Sequence, residues 1–396
     1  MINTERGISN GIKKTLLISY FFPPEIGGIQ NYLYHLYQGL DADKVVILAN
    51  KNDKDRELEF DKKQNFKIYR KRFLAPKFIK LWSVFLFFKI FKIIKREKIE
   101  FLQFGHYHEF CFTGIFYKIF FKLPYSIYFH GIDLFIVKKN KLRFLLFKLA
   151  AKNAKIIIAN SNFIADCLIK FGVAEEKIKI ITPAVDFQKF NLKDKEQSLI
   201  DKYQLNEKRV IMSMGRLTRI KGIDLAIRAL PQVIKEIPNL AYLIIGDGPD
   251  DYRKELEGLI GDLNLNNYVF FAGEINDLEE EKSRYYNLTE LVIMPSREIK
   301  YEKYSHIESF GIVALEAQLM AKPVIATNIG GLKESVLDRE TGILFPNEDI
   351  DALGLAIIKL LKNKDLAYEM GQKGRKRIEE FFDWSKQIEK VKELIS

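Results

Sequence analysis

Cysteine is scarce in this sequence, with only Cys111 and Cys167 among 396 residues. Two isolated cysteines make neither a disulfide framework nor a metal cluster, so a reducing compartment is expected. The sequence also lacks an uncharged apolar run of about 18 residues, which excludes an ordinary spanning helix. Residues 1–11 have no apolar core typical of a secretion signal. We therefore expect a cytoplasmic protein.

Acidic residues are depleted in the N-terminal half. Residues 1–190 contain 33 Lys and Arg against 17 Asp and Glu, whereas residues 191–396 contain 30 against 35. The net charges are +16 and −5, which sum to the +11 of the whole chain. This polarity predicts an anionic partner for the first half.

Much of the excess charge lies between Lys62 and Lys98, where thirteen Lys or Arg face one acid, Glu97, and a basic helix is predicted there from Pro76 onward. Two sets of side chains alternate along it: cations at Lys89, Lys92, Lys95 and Arg96, and apolar groups at Trp82, Phe85, Leu86, Ile90 and Ile93. Such a helix suits the surface of an anionic membrane. The alternatives are a helix packed on a sheet with a solvated basic edge, or a nucleic-acid surface. No nucleic-acid motif accompanies the charge, so no nucleic-acid partner is expected.

Strands and helices alternate along the chain, which predicts an α/β protein with parallel sheets built from βαβ units. The length favours two domains. We predict Rossmann-like domains over residues 1–190 and 191–374, facing across a cleft at the carboxyl ends of both sheets. The C-terminal segment, residues 375–396, is predicted to form a single helix over 375–395. This helix is expected to return to the N-terminal domain.

Two glutamates eight positions apart flank a glycine where an irregular segment becomes a helix. Glu308 lies in the loop, and Glu316 lies inside the helix that starts near Ile312. The backbone N–H groups between them suit an anion that carries hydroxyl groups. The pattern therefore favours a nucleotide sugar, although acids at a helix start also have an ordinary structural explanation.

Two further motifs follow the first strand of each predicted domain. Gly27 and Gly28 permit close backbone approach before a helix start, which suits a phosphate. Arg216 and Lys221 place an arginine fork and a lysine charge where a diphosphate would bind, while Arg219 is expected to be solvated. The full dinucleotide fingerprint G-x-G-x-x-G is missing from both halves.

Together with Gly330-Gly331, these motifs resemble the retaining GT-B glycosyltransferases of family GT4. They occur in the family's order over nearly the whole chain. Within that family, three segments are most similar to the phosphatidylinositol mannoside mannosyltransferases: Pro23 to Gln30, His130-Gly131, and the loop from Pro295 to Glu308.

The resemblance implies roles for these residues. Arg216 and Lys221 would hold the donor diphosphate, Glu316 the ribose, and Glu308 the transferred sugar, with His130 near the reacting carbon. The remaining donor contacts would come from Gly27, Gly28 and the backbone of Phe310, Gly311, Ile312 and Val313. The implied catalytic residues are His130, Glu308, Arg216 and Lys221.

The resemblance also implies a GDP- or UDP-sugar as co-substrate, no other cofactor, and a lipid-linked or glycan acceptor. No metal is expected, because cations replace it. The D-x-D pairs Asp41/Asp43 and Asp53/Asp55 are predicted to lie away from the site. Alternatives are a GT-B nucleotide-sugar epimerase and a non-catalytic nucleotide-binding protein. We expect the transferase to work at the inner face of the cell membrane.

Overall fold

The computed structural model describes residues 11–25, 27–73, 79–138, 140–193, 195–275, 279–301 and 304–396. The chain forms two units. The first comprises the described residues up to Asn160 with Ala165–Ile181 and Ser385–Ser396. The second comprises Ser161–Ile164 and Thr182–Trp384. Each unit is an α/β fold around one parallel sheet, which confirms the predicted fold class. The predicted cleft concerns the relative placement of the units and stays a prediction.

The first unit has a seven-stranded parallel sheet in the order β3-β2-β1-β4-β5-β6-β7. Five of its strands are buried along their whole length, because helices cover both faces of such a sheet. The strands are β1 Thr15–Ser19, β2 Val45–Asn50, β3 Lys67–Lys71, β4 Phe101–Phe104, β5 Tyr125–Phe129, β6 Ile156–Ala159 and β7 Ile178–Ile180.

The helices that connect these strands follow the βαβ order that the sequence predicts. They are α1 Gly28–Gln38, α2 Lys54–Lys62, α3 Ile79–Glu97, α4 Thr113–Phe121, α5 Ile132–Lys138, α6 Lys141–Asn153 and α7 Asn162–Lys170, with 3₁₀ turns at Ala42–Lys44, Glu109–Phe112 and Glu175–Lys177.

The second unit has a six-stranded parallel sheet in the order β10-β9-β8-β11-β14-β15, and a separate antiparallel hairpin formed by β12 and β13. The strands are β8 Arg209–Met214, β9 Leu240–Ile245, β10 Val269–Gly273, β11 Leu291–Met294, β12 Ile299–Tyr301, β13 Tyr304–His306, β14 Val324–Thr327 and β15 Gly342–Phe345. The sequence indicated only a loop where this hairpin lies, because three-residue strands carry too little periodicity to stand out.

The helices of this unit are α8 Gln197–Lys202, α9 Ile223–Glu236, α10 Asp250–Asp262, α11 Glu279–Leu288, α12 Ile312–Leu319, α13 Leu332–Ser335, α14 Ile350–Lys362 and α15 Lys364–Phe381. A 3₁₀ turn, Arg219–Lys221, precedes α9. The helix α16, Trp384–Ile395, follows α15.

The single helix predicted over 375–395 is therefore wrong in one respect, because the structure has two helices there. The backbone N–H of Val185 donates to the carbonyl oxygen of Phe382 at 3.1 Å, and Val185 forms a β-bridge with Asp383. This pairing takes the backbone out of the helical ladder between α15 and α16. In the first unit, the N–H of Lys13 donates to the carbonyl oxygen of Ile395 at 2.9 Å, which ties the end of α16 to the start of β1.

The amphipathic helix predicted from Pro76 onward is α3 in its described part; Pro76 and the side chains of Trp82 and Phe85 lie outside the described residues. The cations Lys89, Lys92, Lys95 and Arg96 are exposed, as predicted. The apolar side chains of Leu86, Ile90 and Ile93 are instead buried in the first unit. These three apolar side chains of α3 therefore pack inside the protein, whereas its basic edge and Phe88 reach solvent. Within the described residues, no helix is long and apolar enough to cross a membrane.

Candidate functional site

The loop after β8 carries the two cations predicted to bind a diphosphate. It runs from Gly215 through the 3₁₀ turn that ends at Lys221, and α9 begins two residues later. At Gly222 the backbone has φ +63°, and a Cβ atom there would lie 1.9 Å from the carbonyl oxygen of Pro295. Only glycine fits this close approach, which holds the loop against the segment that follows β11.

Lys221 and Glu308 form an ion pair, although 87 positions separate them in sequence. The Nζ of Lys221 donates to Oε2 of Glu308 at 2.6 Å. Burial raises the pKa of the Glu308 carboxyl, but the charge and hydrogen bond of Lys221 outweigh this and hold the pKa below its ordinary value. Glu308 is therefore an anion at neutral pH. An ammonium group has three donors, so Lys221 keeps hydrogens for a further oxygen.

Arg216 lies close to this pair and is exposed. Its charge is among those that lower the pKa of Glu308, and it also lowers the pKa of His306, which burial depresses most. Arg216 forms no ion pair or hydrogen bond with any other residue that the structure describes. Its guanidinium group therefore adds an unpaired fork of donors next to the Lys221–Glu308 pair.

The segment from Phe310 to Val313 leads into α12 and presents backbone rather than side chains. The Phe310 ring is buried in the core and packs 5.9 Å from the Phe382 ring. Gly311 is the N-cap residue with φ +92°, and no side chain caps the helix. The first-turn N–H groups, including those of Ile312 and Val313, are therefore not occupied by a capping side chain and can bind an anion.

Gly330 and Gly331 support this segment from behind. The N–H of Gly331 donates to the carbonyl oxygen of Glu308 at 3.0 Å. A Cβ atom at Gly331 would lie 1.9 Å from the carbonyl oxygen of Ser309. The second Gly-Gly motif therefore positions the loop that carries Glu308 instead of offering its own phosphate site.

Both carboxylate oxygens of Glu316 are held by α11. The Nζ of Lys282 donates to Oε1 at 2.9 Å, and the hydroxyl of Tyr286 donates to Oε2 at 2.9 Å. Lys282 and Tyr286 lie one helical turn apart, so both reach the same acid. Neither residue is predicted from a motif, and only their i,i+4 spacing on α11 hints at a shared partner. They fix the orientation of the carboxylate that we predict to bind ribose.

Replacing Lys282 with Met is expected to lower the free energy of unfolding of the second unit by about 3 kcal/mol, because the buried Glu316 carboxylate loses its counter-charge. The double variant Lys282→Met/Glu316→Gln should recover much of that loss, since no buried charge then remains. Denaturant unfolding measures both. Lys254→Met, an exposed lysine on α10, is the control and should leave stability unchanged within about 0.5 kcal/mol.

The other predicted site residues lie in the first unit, at the carboxyl end of its sheet. Gly27 is the N-cap residue of α1, which begins at Gly28 and has no side-chain cap or acid in its first turn. His130 follows β5, and its Nε2–H donates to the carbonyl oxygen of Gly105, which follows β4, at 2.7 Å. The strands β1, β4 and β5 are neighbours in the sheet. Gly27, Gly105 and His130, which follow them in the chain, therefore lie at the carboxyl end of the same part of the sheet.

His130 is buried and uncharged at neutral pH. Burial lowers its pKa to about 4, against a smaller opposing effect of the hydrogen bond to Gly105. Its backbone N–H donates to Oδ2 of the fully buried Asp133 at 2.7 Å, and burial raises the pKa of Asp133 to about 7. His130 can therefore take part in hydrogen bonding but supplies no positive charge. Asp133, which is not predicted from the sequence as a site residue, fixes the turn that carries His130.

Asp41 and Asp53, the first acids of the two pairs that mimic a metal motif, each precede a helical segment. Asp53 caps α2 by accepting hydrogen bonds from the backbone N–H groups of Asp55 and Arg56 at 3.1 and 3.4 Å. Asp41 precedes a 3₁₀ turn. Among the described residues, no group of three or more acids, histidines or cysteines is arranged to hold a metal ion.

Two family models match consecutive parts of the chain. The model described as Glycosyltransferase Family 4 matches residues 26–189, and the model described as Glycosyl transferases group 1 matches residues 195–377. The capsular polysaccharide biosynthesis glycosyltransferase CapM of Staphylococcus aureus is 30% identical over 65% of this chain and 67% of its own. The chain belongs to the family 4 glycosyltransferases. The resemblance drawn from the motifs is thereby confirmed.

Other similar proteins agree with this placement. A GDP-mannose-dependent alpha-(1-6)-phosphatidylinositol monomannoside mannosyltransferase of Mycolicibacterium smegmatis is 32% identical over 54% of this chain and 55% of its own. The chain thus spans about half the length of the first curated relatives it matches. The structure of HepE from Anabaena in complex with UDP has a TM-score of 0.79 at 20% identity and covers 96% of this chain and 99% of its own. This likeness shows the GT-B fold.

Proposed function

We propose that this protein transfers a hexose, of the mannose, glucose or N-acetylhexosamine type, from a GDP- or UDP-sugar to a lipid-linked or glycan acceptor with retention of configuration. The observation that carries the proposal is the joint position of Arg216, Lys221 and Glu308 beside the uncapped start of α12. Two cations and a helix N-terminus suit a diphosphate, while an ionised carboxylate beside them suits sugar hydroxyls.

In the proposed reaction, the bond between the anomeric carbon and the diphosphate oxygen breaks as the acceptor oxygen bonds to the same face of that carbon. The acceptor proton passes to an oxygen of the leaving diphosphate. Arg216, Lys221 and the N–H groups of α12 stabilise the charge that develops on the diphosphate. No protein general base is required, and the cations perform the electrostatic role that a metal ion has in other transferases.

Glu316 is proposed to accept hydrogen bonds from the ribose hydroxyls, with Lys282 and Tyr286 holding its carboxylate in place. Gly27, Gly28 and His130 of the first unit are also proposed to contact the donor. The uncharged state of His130 fits a hydrogen-bonding role toward the sugar. We further propose that the protein is cytoplasmic and peripheral to the membrane, because the exposed cations of α3 favour an anionic surface.

The proposal is tested by incubating the purified protein, in chelator, with GDP-mannose, UDP-glucose or UDP-N-acetylglucosamine, with and without a bacterial lipid extract. We expect one donor to be consumed when lipid is present, with release of its nucleoside diphosphate and an α-linked product identified by NMR. Conversion of a donor into another nucleotide sugar without acceptor would establish an epimerase. Tight nucleotide binding with no turnover would establish a binding protein.

A further inference from the structure

The helix α4 exposes several large apolar side chains of a kind that is usually buried in a protein core. Ile119 is 63% exposed and Phe120 is 65% exposed, and Phe116 and Phe121 beside them are more than one-third exposed. Phe88 on α3 is also exposed. These five side chains are called the aromatic patch below. Apolar residues grouped in this way on a surface indicate a binding face.

Ring contacts join the aromatic patch into one surface across two helices. The ring of Phe116 lies 4.8 Å from that of Phe87 and 4.2 Å from that of Phe120. The ring of Phe121 lies 5.0 Å from that of Phe91. The hydroxyl of Tyr117 donates to the carbonyl oxygen of Phe87 at 2.7 Å and fixes α4 against α3. The patch is therefore held in place while its outer side stays in solvent.

Cations border the aromatic patch, and acids are missing there. The Nζ of Lys95 lies 5.9 Å from the centre of the Phe121 ring, and Lys118 and Lys122 flank residues 119–121 in sequence. No Asp or Glu occurs in residues 79–96 or 110–122. The nearby Glu97 carboxylate is neutralised by Lys67 at 2.7 Å. The two segments that form the patch therefore contribute positive charge and no acid of their own.

We propose that the aromatic patch inserts into the headgroup region of an anionic phospholipid bilayer, with the exposed lysines of α3 and α4 contacting lipid phosphates. Charge complementarity selects this occupant, because a second copy would bring the same cations against this basic border. Aromatic rings and lysine stems suit the membrane interface, where one end of a side chain is apolar and the other is wet. The inference rests on the proposed function only in placing the acceptor at a membrane.

The surface differs from the one that the sequence predicted. Leu86, Ile90 and Ile93, which the sequence predicted to face the membrane on α3, are buried and do not reach lipid. The basic edge of α3 supplies charge, and the apolar groups come from α4 and from Phe88 of α3. Binding should therefore depend on both helices, and the apolar contribution should persist at salt concentrations that screen the lysines.

The test is co-sedimentation of the full chain with vesicles of phosphatidylcholine, with and without phosphatidylglycerol. We expect binding that requires phosphatidylglycerol and that falls about tenfold or more in Ile119→Ser/Phe120→Ser. Lys89→Gln/Lys92→Gln should weaken it by a similar factor. The matched controls are Leu355→Ser, which removes a side chain 63% exposed in the second unit, and Lys254→Gln. Neither control should change binding.

Insertion itself is measured by tryptophan fluorescence. Phe120→Trp should be quenched by brominated lipids in the vesicles, and Leu355→Trp should not be. If Ile119→Ser/Phe120→Ser binds vesicles as tightly as the wild type, the inference is wrong. If that variant also has a different oligomeric state, the patch instead binds a second copy of the chain. Titration with UDP and GDP separates the two proposals. A variant that no longer binds vesicles but still binds nucleotide supports the membrane-binding role of the aromatic patch. If the wild-type protein binds vesicles but neither nucleotide, only the proposed transferase function is contradicted.

Discussion

Replacing Glu308 with Gln is expected to reduce sugar transfer by about 100- to 1000-fold while leaving the affinity for UDP or GDP within about threefold. Glutamine has the shape of glutamate but lacks its charge, so the hydroxyl groups of the transferred sugar lose an ionised acceptor. Lys221, freed from its 2.6 Å contact with Glu308, remains available to the diphosphate. Transfer rates per bound donor and calorimetric titration with the nucleoside diphosphate measure the two effects.

The matched control for this change is Glu255→Gln. Glu255 is an exposed acid that forms an ion pair at 2.5 Å with Arg219. Arg219 lies three positions after Arg216 in the same loop. An exposed pair of this kind contributes little, so the control should transfer sugar at the wild-type rate. If Glu308→Gln loses nucleotide binding while transfer per bound donor stays intact, the role proposed for Glu308 is wrong.

Replacing Arg216 with Ala is expected to lower the affinity for UDP or GDP about 10- to 100-fold, because a charge-assisted hydrogen bond to the diphosphate is lost. The free energy of unfolding should change by less than about 0.5 kcal/mol, since Arg216 is exposed and pairs with no other described residue. Calorimetric titration in chelator measures the affinity, and denaturant unfolding measures the stability.

Two further variants sharpen this result. Arg216→Lys keeps the charge but loses the planar fork, so we expect an intermediate affinity. Arg219→Ala removes an exposed arginine of the same loop that is already paired with Glu255, and should bind as the wild type does. Equal affinity of wild type and Arg216→Ala for both nucleotides would rule out a diphosphate site at this position.

The architecture was predictable because its determinants are local. Short buried strands such as residues 45–48 and 291–294 alternate with amphipathic helices, and this pattern specifies parallel sheets in each unit. The helix start after Gly311 and the loop position of Glu308 also followed from the sequence. The division of the chain differs slightly from the prediction near residue 190, since the structure divides between Ile181 and Thr182. The local composition indicates that a linker is present, but it does not determine which of its residues pack against which unit.

The contacts of the candidate site were less predictable because they join distant positions. Arg216, Lys221, Glu308 and Glu316 were named from their motifs, and the structure brings the first three together. The ion pair of Lys221 with Glu308 and the two donors of Glu316 on α11 depend on sheet order and helix packing. No periodicity along the chain encodes such partners.

The sequence by itself determined the two α/β units, the family and the residue types that suit a diphosphate and a sugar, because each depends on patterns within a few turns or strands. Only the tertiary structure decided that Lys282 and Tyr286 hold Glu316 and that His130 is buried and uncharged. It also decided that Leu86, Ile90 and Ile93 of α3 are covered while Ile119 and Phe120 of α4 are exposed. Burial and long-range pairing depend on which elements pack together, and the same apolar run can form a core or a surface.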